Sequence, residues 1–190
     1  RVQEPIEIDG SLATAAFDAD LDGRMDLLVS TREELLLLPG AFPTTTTAVA
    51  GMSPARGSGT GGLFAFTFTD TRGANDLGVM NILVNDWLDG RHACYLAYAR
   101  ASNTPYPIND NGDALLPGMA LNGTGSLGNS QCTVNGAGSS VSINGNTLTP
   151  TLNTTFGAGF AGNRVFYLGA RDVNGLNNTG WQAMGSWTVR

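Results

Sequence analysis

Apolar and polar residues alternate in short runs along most of this chain, and no ten-residue stretch of its body carries a helical stripe. From Leu63 onward the runs rich in β-branched and aromatic residues are Leu63 to Thr69, Val79 to Val84, Ala93 to Ala99, Thr104 to Ile108, Cys132 to Val134, Ser139 to Ile143, Asn146 to Phe156, Arg164 to Ala170 and Gly185 to Val189. Strands packed this closely predict a two-sheet antiparallel sandwich. In LFAFTFT, Phe64, Phe66 and Phe68 share one face, and a face made of three aromatics is expected to be buried. Asn-Gly pairs begin at Asn111, Asn122, Asn135, Asn144 and Asn174. Such pairs supply the positive φ of tight turns, and SVSINGNTLT around Asn144-Gly145 is the clearest hairpin.

Three further strand-like runs precede the body: Ala13 to Phe17, Met25 to Ser30 and Leu35 to Leu38. The four consecutive leucines make the last of these apolar on both faces, so it requires cover on both sides. That cover is either this chain's own sandwich or another copy. Charge separates the segment from the rest. Residues 1–38 carry nine acids against three arginines, so the whole formal charge of −6 lies there and the remainder is balanced. Residues 41–62, rich in Thr, Pro and Gly, read as a connector, with Thr44 to Thr47 and Val49 able to lie along a sheet edge. The expected organisation is therefore a small β segment over residues 1–40, a connector over 41–62 and a sandwich over 63–190.

Composition narrows the class of partner. Charged residues are 14% of the 190, every basic residue is Arg, and the net charge is negative. Nucleic acid and anionic membrane are thus poor candidates for the main partner. No apolar run is long enough to span a membrane as a helix. A start at Arg1 without Met reads as a processed product or a fragment.

The one sharp chemical motif lies in the acidic segment. Asp18, Asp20 and Asp22 stand at positions 1, 3 and 5 of a short loop, Gly23 at position 6 permits a sharp turn, and the Arg24 carbonyl and Asp26 follow at positions 7 and 9. An oxygen-only set of this kind suits Ca²⁺. An EF-hand needs a bidentate Glu at position 12, where this chain has Val29. The strand-flanked loop, LATAAFDADLDGRMDLLVST, instead resembles the calcium loop of FG-GAP/VCBS repeats, the blades of integrin-type propellers. That resemblance runs from about Ile6 to Gly40 and implies Asp18, Asp20, Asp22, Asp26 and the Arg24 carbonyl as ligands.

In the body, FAGNRVFYLGARDVNG followed by WQAMGSWTV is similar to the closing strands of bacterial immunoglobulin-like and fibronectin-like extracellular domains. The resemblance implies an immunoglobulin-like β-sandwich. Cys94 and Cys132 stand too early for the bridge of antibody domains, and with one His and no CxxC spacing they make no zinc site. A structural disulfide between them is expected, the alternatives being two buried thiols or a reactive Cys94–His92 pair.

Other candidates carry less. Asn109 to Asp113 reads as an Asn-Gly turn rather than a second cation site. Asp70, Asp76, Asp86 and Asp89 are scattered, with no paired-carboxylate spacing. Trp87, Trp181, Trp187, Tyr95, Tyr98 and Tyr106 are either core or a sugar-binding face. Asn122, Asn153 and Asn177 open N-x-S/T triplets. The expected function is a non-catalytic structural or adhesive module of a secreted or cell-surface bacterial protein. It is stabilised by Ca²⁺ and contacts other copies of itself, neighbouring domains or glycans, with filaments formed by strand exchange between subunits. The alternatives are a carbohydrate-binding module and an accessory fragment of a larger secreted enzyme.

Overall fold

The computed structural model describes residues 13–17, 19, 25–42, 46–121 and 123–190. The chain divides into two compact units, Arg1–Thr45 and Thr46–Arg190.

In the first unit β1 (Ala13–Phe17), β2 (Met25–Ser30) and β3 (Leu35–Phe42) form an antiparallel sheet in that order. The Ser30 to Leu35 turn closes through Thr31, whose hydroxyl accepts the Glu34 N–H at 3.0 Å while its own N–H donates to the Glu34 carbonyl. Val29 is buried, whereas Leu35 is 66% and Leu37 47% exposed on the edge strand β3.

The second unit is an all-β sandwich. Its strands are β4 (Thr47–Ser53), β5 (Arg56–Gly59), β6 (Gly61–Asp70), β7 (Leu77–Asn85), β8 (Cys94–Ala99) and β9 (Thr104–Pro107). They are followed by β10 (Ser126–Gly128), β11 (Cys132–Asn144), β12 (Thr147–Phe156), β13 (Gly162–Asp172) and β14 (Gln182–Val189). One sheet has the order β10-β11-β12-β6-β4 and the other β5-β14-β13-β7-β8-β9. Reading β4, β6, β12 and β11 as A, B, E and D, and β14, β13 and β7 as G, F and C, gives the connectivity of an immunoglobulin-like sandwich.

The two sheets meet through alternating inward residues. Phe64, Phe66 and Phe68 of β6 are fully buried, as the sequence pattern predicts. The Phe64 ring packs on Phe166 at 5.0 Å and edge-on against Trp187 at 5.1 Å. Leu148 and Leu152 of β12 continue this inner face, opposite Met80, Ile82, Leu96 and Leu168 of the other sheet. The Asn144-Gly145 hairpin joins β11 to β12 with Gly145 at φ +57°.

Two features of the sequence reading are corrected. Residues 46–62 are part of the sandwich rather than a connector, because β4 pairs with β6 in one sheet and β5 pairs in parallel with β14 in the other. In β5 (RGSG) no apolar pattern announces a strand. Its place depends on Gly57, where any Cβ would collide with the Trp187 ring, and on the Trp187 indole N–H donating to the Gly59 carbonyl at 3.0 Å. The runs Cys132 to Val134 and Ser139 to Ile143 belong to one strand, β11, with a register irregularity between Asn135 and Ser140. Asn135-Gly136 is therefore not a hairpin turn. The irregularity is closed by Ser139, whose hydroxyl donates to the Asn135 carbonyl and accepts the Asn153 N–H at 2.9 Å.

Cys94 of β8 and Cys132 of β11 form a disulfide that ties the two sheets together.

Candidate functional site

Of the calcium-loop candidates, Asp18, Asp20, Asp22 and Arg24 lie outside the described residues. Asp26 is described. It is the second residue of β2, is buried, and accepts the Ala19 N–H through Oδ2 at 2.7 Å. The carboxylate at the loop's ninth position is thus bonded to the backbone of Ala19, the loop's second residue. Among the described residues, no group of three or more His, Cys, Asp or Glu side chains is placed to hold a metal ion.

In the sandwich, a concave site lies where the connection from β7 to β8 meets the residues before β13. It is an open pocket of about 460 Å³, lined by Asp86, Trp87, Asp89, Arg91, His92 and Arg164 among others. Its floor is a tightly bonded loop. Asn85 at the end of β7 is buried and donates through Nδ2 to the carbonyls of Asp89 (2.9 Å) and Arg91 (3.3 Å), while its Oδ1 accepts the Asp86 N–H at 3.0 Å. The Asp89 N–H returns to the Trp87 carbonyl at 2.9 Å. Asp89 then caps the turn by accepting the Arg91 N–H (2.9 Å) and a two-pronged contact from the Arg91 guanidinium, at 3.0 Å from Nε and 2.6 Å from Nη2.

That fork holds the Asp89 carboxyl well below the usual carboxylate range, and the indole N–H of Trp87 adds a smaller lowering contribution. The far wall is Arg164 of β13. Its guanidinium lies 4.4 Å from the centroid of the Phe160 ring, donates to the carbonyls of Phe160 (3.2 Å) and Ala161 (2.8 Å), and faces Asp86 at 3.4 Å. Trp87 itself is 63% exposed. Each carboxylate of the pocket is thus matched by one guanidinium, and an exposed aromatic surface stands beside them.

The aromatic candidates fall into three groups. Tyr98 is core: it is buried, donates to Asn103 Oδ1 at 2.8 Å, and burial pushes its phenol up to about 12. Trp187 packs against the core. Tyr95 and Tyr106 line a second cavity of about 380 Å³ on the outer face of the β7–β9 sheet, and Trp181 meets the Tyr95 ring edge-on at 5.7 Å. Trp87 joins an exposed ring to two carboxylates and two guanidiniums in one pocket, whereas Arg171 is the charged residue beside Tyr95 and Tyr106.

Asp86 and Asp89 share the connection from β7 to β8, and Arg164 of β13 pairs with Asp86 there. Asp76 belongs elsewhere, pairing with Arg72 at 2.5 Å, and Arg72 also reaches Asp172 at 3.2 Å. Buried Asp70 accepts the hydroxyls of Thr47 (2.7 Å) and Thr46 (3.0 Å) and the Arg72 N–H (2.9 Å). Asn109 to Asp113 is the expected turn: Gly112, at φ +77°, donates its N–H to the Asn109 carbonyl at 2.9 Å.

No helix among the described residues is long and apolar enough to cross a membrane. The chain matches no protein-family model, and a search of curated proteins finds no match to it.

Proposed function

We propose that the chain is a non-catalytic structural or adhesive module of a secreted or cell-surface bacterial protein, held by Ca²⁺ in its N-terminal unit and associating with further copies through that unit. The observation that carries this reading is β3, the edge strand of its sheet among the described residues, where Leu35 and Leu37 stand exposed. An apolar open edge is a template for strand addition by another chain. At roughly 1.5–3 kcal/mol per buried leucine, covering two of them on each subunit would stabilise a repeating contact appreciably.

Calcium is supported by the 1-3-5-7-9 pattern from Asp18 to Asp26 and by the bond of the Asp26 carboxylate to the loop backbone at Ala19. An oxidising compartment is supported by the buried Cys94–Cys132 bridge, since structural disulfides persist mainly outside the cytosol. Asp89 is disfavoured in one catalytic role. A carboxylate held ionised by an arginine fork is poorly suited to donate a proton as a general acid.

Light scattering and electron microscopy of the full chain across a concentration series, with Ca²⁺ and with chelator, test the reading. Assemblies that grow with concentration in Ca²⁺, and that disappear in the Leu35→Ser, Leu37→Ser variant, are expected. A monodisperse monomer under every condition contradicts self-association. A carbohydrate-binding reading is favoured by one observation, the exposed Trp87 beside the ion-paired Asp86 and Asp89.

A further inference from the structure

The pocket between the β7–β8 loop and Arg164 has a composition that selects among ligand chemistries. Its two carboxylates and two guanidiniums are matched pair by pair, Asp89 with Arg91 at 2.6 Å and Asp86 with Arg164 at 3.4 Å. An anionic ligand would have to compete with a carboxylate already in place for each arginine, and a cation would meet the converse obstacle. A neutral ligand rich in hydroxyl groups meets neither. A hydroxyl both donates and accepts, so it can bridge an ion pair by donating to the carboxylate and accepting from the guanidinium without separating the charges.

The apolar part of the site fits the same class. Trp87 is 63% exposed at the pocket, which leaves its ring accessible for stacking by a ligand. A pyranose has one face of C–H groups that can lie flat on such a ring, with its hydroxyls directed outward at the rim. The ring is also positioned in advance. The Trp87 carbonyl accepts the Asp89 N–H, and Asn85 donates to the Asp89 and Arg91 carbonyls of the same loop. Ordering costs are therefore largely met before a ligand arrives. The pocket volume of about 460 Å³ lies within the range of small-molecule sites.

We propose that this pocket binds a neutral saccharide, with one sugar face stacked on Trp87 and its hydroxyls shared among Asp86, Asp89, Arg91 and Arg164. This inference rests on the non-catalytic adhesive reading, and names what the sandwich adheres to.

The test uses the full ¹⁵N-labelled chain and follows the indole N–H resonances of its three tryptophans. Soluble linear oligomers of glucose, xylose, mannose, galactose and N-acetylglucosamine are titrated in turn, beside a galacturonate oligomer and inorganic phosphate. At least one neutral oligomer is expected to shift the Trp87 resonance saturably while Trp181 and Trp187 stay in place. Trp87→Ala should weaken that binding at least tenfold, and Asp86→Asn should weaken it severalfold with an unchanged melting temperature. No saturable shift with any neutral oligomer, a shift confined to Trp181, or binding of the galacturonate or phosphate alone would each overturn the assignment. The wild-type Trp87 shift is decisive even if Trp87→Ala folds poorly. Oligomers recovered unshortened support the adhesive reading; shortened ones refute it while leaving the sugar site standing.

Discussion

Cys94 and Cys132 are 38 residues apart in sequence and belong to strands of opposite sheets, with their Cα atoms 5.4 Å apart. Their bridge therefore does more than close a loop. It pins the outer part of one sheet, β8, to β11 of the other, next to the pocket residues His92 and Gln131. The inner strands β6 and β13 are held instead by the packing of Phe64, Phe66 and Phe166.

Removing the bridge should be costly. In the chain-entropy account a loop of this length contributes about 4 kcal/mol. The Cys94→Ala, Cys132→Ala variant is expected to unfold at clearly lower denaturant than the wild type, whose thiols should be untitratable in denaturant without reductant. Equal midpoints, or two reactive thiols in the wild type, would contradict the bridge.

Phe64 is the centre of the aromatic core, touching the rings of Phe156, Phe166 and Trp187. Phe64→Ala should destabilise by about 3–5 kcal/mol, the usual cost of deleting a large buried ring. Leu63, its neighbour on the opposite face, is exposed, and Leu63→Ala should stay within about 0.5 kcal/mol of wild type. Urea unfolding of the two variants checks the contrast, and similar losses would mean that the strand register is wrong.

How far the sequence could be read follows from where each feature's cause lies. The face of Phe64, Phe66 and Phe68 and the Asn144-Gly145 hairpin are local, and both are where their residues predict. The strand β5 is not local: Arg56 to Gly59 have no pattern of their own and are ordered by β14 and the Trp187 ring. Asn135-Gly136 carries a turn signal but lies within β11, because pairing with β12 on both sides of the irregularity outweighs the local preference. The pocket was half legible. Trp87 stood among the sugar-binding candidates, but the pairing of Asp86 with Arg164 joins the loop after β7 to β13 and depends on the sandwich topology. No spacing rule would reveal it.

Asp172, at the end of β13, gives the sandwich a pH dependence. Burial would raise its carboxyl, but N–H donors from Leu176, Asn177 and Asn174, together with the nearby Arg72, outweigh this and hold it below the ordinary value of 3.8. A depressed folded-state value means stability that is fully present above the unfolded value and is lost as pH falls through the folded one. The melting temperature should therefore decline below about pH 4. Asp172→Asn should melt lower than wild type at pH 7, with the gap narrowing in acid. A gap that is constant from pH 7 to pH 2 would assign the effect to packing alone.

Calorimetric titration of the full chain with Ca²⁺ tests the calcium-held N-terminal unit most directly. Asp18, Asp20, Asp22 and Asp26 put four carboxylates within nine residues of sequence, so on the proposed reading binding should be saturable and should raise the stability of the unit that contains them. The Asp20→Ala, Asp22→Ala variant should lose that binding while the Cys94–Cys132 bridge stays intact. Absence of Ca²⁺ binding by the wild type, or undiminished binding by the double variant, would contradict it.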